Sequence, residues 1–107
     1  MKPADKARVL AALIGHRGRA NGITARTLAQ QIEISERDVR HAVTELREEE
    51  FAICGHPSSG YFIAETAAEI EETCEFLRGR ALHSLMLASR LSKKPLAELI
   101  GQLRLKT

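Results

Sequence analysis

The stretch 23-ITARTLAQQIEISERDVRHAVTELREEE-50 decides how the chain folds. Its apolar residues fall into two helical stripes, Leu28, Ala29 and Ile32 first, then Val39, Ala42, Val43 and Leu46. Residues three and four apart share one face of an α-helix, so each stripe is the inner face of its own helix. Glu33 and Ile34 lie between them, where the helix breaks. A hydroxyl residue precedes each stripe: Thr24 and Ser35 can accept from the first free backbone N–H groups, and Asp38 can answer Ser35 as a capping box.

Toward the N-terminus, DKARVLAALIG places Val9, Leu10, Leu13 and Ile14 on one helical face and stops at Gly15. GHRGRANG, residues 15–22, has three glycines and an asparagine and reads as a connecting loop. It lacks the Gly-Lys-Ser/Thr ending of a phosphate-binding loop. Beyond Glu50 the period shortens: FAIC and GYFIAE are brief apolar runs flanking GHPSSG, which predicts a small hairpin. TAAE at 66–69 is a second capping box and starts a long helix. On it Ile70, Cys74, Leu77, Ala81, Ser84, Ala88 and Leu91 alternate in steps of four and three. Near residues 81–91 Leu82, Leu85, Met86 and Leu87 widen that stripe around most of the circumference. A helix wet on one side is not written this way, so the tail or a second chain should cover it. Pro95 opens a last amphipathic helix with Leu96, Leu99, Ile100 and Leu103 on its stripe.

Helix, helix, turn, helix and a hairpin with a Gly/Ser tip is the element order of a winged helix-turn-helix domain. The stretch 23-ITARTLAQQIEISERDVRHAVTELREEEFAICGHPSSGYFIAE-65 resembles that family, through TLAQQIEIS with its small Ala29, VRHAVTEL, and the GHPSSGYFI hairpin. The resemblance covers roughly residues 5–65, and the whole chain is similar to small bacterial and phage-type members that carry an added C-terminal helix. It implies an α+β fold, mainly α with one β-hairpin, in which residues 1–65 form the winged domain and residues 66–107 a helical extension. Most members bind duplex DNA as dimers, in transcription control or replication initiation, and a minority use the fold for protein contacts.

Residue by residue, the third helix should pack Val39, Val43 and Leu46 inward and present Glu36, Arg37, Arg40, His41, Thr44 and Arg47 to a DNA major groove. Arg37 and Arg40 lead, since arginine bonds guanine bidentately and neutralises phosphate. Thr24, Arg26 and Thr27 at the second helix start, with Ser35, are candidate phosphate anchors. His56, Ser58 and Ser59 are the wing's candidates, although that segment has no Lys or Arg. The Glu48-Glu49-Glu50 cluster opposes both phosphate and the helix dipole, so this end should point away from DNA. Leu82, Leu85, Met86, Leu91, Leu96, Leu99, Ile100 and Leu103 are the candidate dimer or partner surface.

The net charge of +2 conceals a segregation: residues 1–47 carry +4, residues 48–75 carry −8 and residues 76–107 carry +6. One end of the molecule is therefore suited to an anionic partner. The 44% hydrophobic and 28% charged composition is that of a folded chain and not of a disordered one. Two cysteines outside any CxxC pattern predict free thiols. No membrane-length apolar run and no signal-type start are present, which predicts a cytoplasmic protein. Cys54, His56, Cys74 and His83 match no zinc spacing, and Cys54 with His56 lacks an orienting third group. The expectation is a sequence-specific DNA-binding homodimer, with no metal, cofactor or catalytic residue. The alternative is a protein-interaction module, for example a phage or bacterial replication accessory factor, docking a partner through residues 95–105.

Overall fold

A computed structural model describes the backbone of residues 1–106 and the side chains through residue 103. The elements run α1 (Pro3–Leu13), a single 3-10 turn (Arg19–Asn21), α2 (Ala25–Ile32), α3 (Glu36–Glu48), β1 (Ile53–His56), β2 (Gly60–Ile63), α4 (Ala67–Ser92) and α5 (Leu96–Lys106). This is the winged helix-turn-helix order with a helical extension. The chain divides into two compact units, Met1–Thr73 and a second beginning at Cys74. The first turns of α4 belong with the wing in the first unit, where the Thr73 hydroxyl is buried and accepts from Gly55 N–H at 3.4 Å.

In the first unit α1 and α2 pack against α3 around one aliphatic core. Val9, Leu13, Leu28, Val39 and Ala42 are fully buried, with Val43, Leu46 and Ile53 nearly so. Both stripes of the opening stretch therefore face inward. Leu10 is half-buried, whereas Ile14, predicted to share the α1 face, is 64% exposed because the helix ends at Leu13. Thr24 and Ser35 cap α2 and α3 as expected, accepting from Thr27 N–H at 3.2 Å and Asp38 N–H at 3.0 Å. Asp38 does not complete the box: its carboxylate lies 3.8 Å from the N-terminal amine. Between the helices Glu33 takes a left-handed conformation with φ 57°, the usual way for a chain to leave a helix within one residue.

The first strand sits two residues later than its apolar run suggests, whereas β2 begins at Gly60 as the second run does. Ile53 pairs with Ile63 and His56 with Gly60, so only residues 57–59 form the turn, and Phe51 and Ala52 lie before β1. The loop of residues 15–22 also does more than connect. Gly18 N–H donates to Ile63 O and Ile63 N–H to His16 O, while Ile23 and Tyr61 exchange both backbone bonds. β2 is thus paired on both edges, and its second partner was invisible to period-two pattern reading because it is only isolated bridges.

The second unit holds the rest of α4 and α5. Leu77, Leu82, Met86, Leu87, Leu91, Ile100 and Leu103 are exposed, with Leu85, Leu96 and Leu99 half-buried. Much of the wide apolar girth predicted from the sequence is therefore uncovered among the described residues. None of the described helices is long and apolar enough to cross a membrane.

Candidate nucleic-acid interface

α3 carries the largest set of candidate contacts. Its inner positions are consumed by the core, which leaves Glu36, Arg37, Arg40, His41 and Thr44 exposed on the outer face. No intramolecular hydrogen bond or ion pair engages the side chain of Arg37 or Arg40 among the described residues. Two mobile cations held on a rigid helix can reach base edges or phosphates without first breaking an internal contact. His41 lies 4.0 Å from Glu45, one turn on. Thr44 donates its hydroxyl to Arg40 O at 3.1 Å.

Arg47 differs from its neighbours. It is half-buried, its Nε donates to Ile53 O at 2.8 Å, and its guanidinium lies 5.9 Å from the centre of the Tyr61 ring. These contacts fasten the end of α3 to both strands of the wing. They give this side chain a structural task, so of the arginines on α3 only Arg37 and Arg40 stand clear of the protein.

The wing turn lies against the start of α2. A Cβ on Gly60 (φ 75°) would fall 2.4 Å from Ile23 O and 2.7 Å from Thr24 N, and one on Gly22 would fall 1.9 Å from Ser59 O. Glycine at these positions is what brings Thr24 and the wing together. Exposed Thr24, Arg26 and Thr27 follow immediately, with the Thr24 hydroxyl 2.9 Å from that of Thr27. In the wing His56 and Ser58 are exposed and joined, Nδ1 to Oγ at 2.8 Å, with Ser58 N–H donating to the same nitrogen at 3.2 Å. Ser59 is drawn inward, and its buried hydroxyl has no hydrogen-bond partner among the described residues. The three wing candidates therefore reduce to two that face solvent.

Acidic groups are handled in two ways. Glu49 pairs with Lys6 at 2.8 Å, and this hydrogen bond raises the Lys6 ammonium above its ordinary value. The acidic end of α3 is thus tied to α1. Glu69 is a junction that sequence reading found only in part. One of its oxygens accepts from Glu65 N–H at 2.7 Å and Thr66 N–H at 3.4 Å, closing the predicted capping box with Thr66. The other accepts from Arg19 N–H at 2.8 Å. The Glu65 N–H first, then that of Arg19, hold the Glu69 carboxyl below its ordinary value. With Arg19 and Glu72 paired at 3.3 Å, the loop before α2, the wing and the first turn of α4 are locked to one another. Nothing in the sequence signals a link between positions fifty residues apart. No group of three or more His, Cys, Asp or Glu placed to hold a metal ion occurs among the described residues.

A family model described as an HTH domain matches residues 9–62. No curated protein matches the chain. Among solved structures the chain is similar to a GntR family transcriptional regulator from Listeria monocytogenes, at 18% identity over 96% of this chain and 94% of that one, with a TM-score of 0.45. The matched segment runs from the second half of α1 into β2, through the elements that build the core and present the α3 face. By that match over half of its length, and by the winged helix-turn-helix fold it adopts, the chain belongs to the HTH domain family.

Proposed function

We propose that the protein is a non-enzymatic, sequence-specific duplex DNA-binding regulator of transcription that acts as a homodimer in the cytoplasm. The observation that carries this reading is the outer face of α3, where Arg37 and Arg40 are exposed and unengaged while Val39, Ala42, Val43 and Leu46 anchor the helix from behind. In the major groove each arginine reads guanine O6 and N7 or neutralises a phosphate. Thr24, Arg26, Thr27 and Ser35 approach the backbone from two helix starts, where N–H groups favour anions. His56 and Ser58 are the solvent-facing candidates of a wing that has no Lys or Arg. Base discrimination in this reading therefore rests on α3. Pairing of two copies through the extension would present two such helices to half-sites separated by about 34 Å or a multiple of it.

The test is fluorescence anisotropy with a pool of mixed duplexes at low and near-physiological salt, followed by sequencing of the bound fraction. The expected result is an enriched palindrome and an affinity that falls steeply with salt, with a slope near −0.9 per neutralised phosphate. Arg37→Ala and Arg40→Ala should each weaken binding at least about tenfold, corresponding to loss of a bidentate contact worth roughly 1–3 kcal/mol. Their thermal stability should match the parent. Absence of binding at low salt would refute this reading and favour a protein-interaction role, with residues 95–105 as the first bait. The acid-rich 48–75 segment and the wing without Lys or Arg are what keep that second reading alive.

A further inference from the structure

Within α4, five exposed residues recur at intervals of four, three, four and four: Glu75, Gly79, Leu82, Met86 and Arg90. At 3.6 residues per turn they fall within roughly 80° of the helix circumference, a narrow seam distinct from the Leu77, Leu87 and Leu91 side. Leu82 is 47% exposed and Met86 39%. A Cβ on Gly79 would meet nothing within 4 Å. Glycine inside a helix is a cost relative to alanine, and nothing within the single chain at this position requires it. Glu75 at one end of the seam and Arg90 at the other have no ion-pair or hydrogen-bond partner among the described residues.

From this pattern, and resting on the homodimer reading above, we infer that the seam is closed by α4 of a second copy running antiparallel. The positions are self-complementary when facing residue numbers sum to about 165. Glu75 then meets the partner's Arg90, Gly79 receives the partner's Met86, and Leu82 lies across the two-fold axis from the partner's Leu82. The first two contacts each occur twice and the Leu82 pair once, on the axis, as two-fold symmetry demands. A parallel pairing would instead set Glu75 beside the partner's Glu75 and Arg90 beside the partner's Arg90, with like charges at both ends. The charge order along the seam selects the direction, the leucines supply the apolar contact, and Gly79 opens the hollow that the flexible Met86 thioether fills.

The test uses the full chain in a Cys74→Ser background, since native Cys54 is buried. Mass by light scattering is measured first. Glu75→Cys and Arg90→Cys variants are then mixed, oxidised and mapped by mass spectrometry. A disulfide between positions 75 and 90 is expected. Neither variant alone should cross-link, because identical positions lie about 22 Å apart along the axis at 1.5 Å per residue, far beyond disulfide reach. Self-linked 75–75 or 90–90 peptides would overturn the antiparallel seam while leaving a dimer. A dimer without any such link would overturn the seam and point to the Leu77, Leu87 and Leu91 side. A monomer at tens of micromolar would overturn the dimer reading as well. Independently, Gly79→Leu and Glu75→Arg should each raise the dimer dissociation constant at least tenfold. The double reversal Glu75→Arg with Arg90→Glu should restore it, and failure of that rescue counts against the pairing.

Discussion

Replacing Arg47 by alanine separates an arginine held by the fold from the two on the same helix proposed to read DNA. The substitution removes the Nε bond to Ile53 O and the guanidinium contact with the Tyr61 ring. A hydrogen bond with one charged partner contributes about 1.5–3 kcal/mol, and a partly exposed cation–π contact about 0.5–1 kcal/mol. Two effects reduce their sum: water reaches a half-buried carbonyl once the side chain is gone, and alanine is a slightly better helix former than arginine. A loss of about 2 kcal/mol results. For a unit of this size that lowers Tm by roughly 8–16 °C. Urea and thermal melts followed by circular dichroism measure it, with Arg37→Ala as the control expected to stay within about 0.5 kcal/mol of the parent. Arg47→Ala should lose DNA affinity only in proportion to its unfolded fraction when binding is assayed well below its Tm. Parent-like stability together with a specific loss of DNA binding would refute the structural role and return Arg47 to the α3 reading face.

Gly60→Ala should destabilise the first unit by more than about 2 kcal/mol, because the left-handed φ costs about 1–2 kcal/mol and the new Cβ meets backbone atoms of Ile23 and Thr24 that cannot swing aside. Chemical denaturation checks this, and a neutral result would mean that the wing does not press on the start of α2. Glu69→Gln probes the junction of loop, wing and α4. The folded-state carboxyl of Glu69 is lowered from 4.5, so its contribution is fully present above that pH and is lost as pH falls through the lower folded value. Stability of the parent should therefore decline more steeply below pH 4.5 than that of Glu69→Gln, and parallel declines in urea melts would show that the three backbone bonds to Glu69 do not stabilise the ionised form.

The helices of the first unit were legible because their causes are local. Thr24 and Ser35 each cap by bonding a backbone group three residues away, and Leu28 or Val43 declares its face by spacing alone. Recurrence at three and four also separated Val39 and Leu46 from Arg37 and Arg40, so most of the candidate reading face could be written down from the sequence. The apolar run FAIC puts the first strand two residues early, at Phe51, while the second strand begins at Gly60 as its run does. Pairing depends on which residues meet across the turn, and Gly60 against His56 fixes that.

What the sequence determined by itself was the winged order of elements, the inner and outer sides of α3, and an extension with more apolar surface than one chain covers. Tertiary structure alone assigned Arg47 to the wing, turned Ser59 inward, paired residues 16–23 with β2, and joined Arg19 to Glu69 and Glu72. The reason is the range of the forces involved. Helical period and capping are decided within about four residues, so composition and spacing record them. Whether an exposed-looking arginine or serine is consumed by the fold depends on backbone atoms brought close from distant parts of the chain, and no local pattern encodes that meeting.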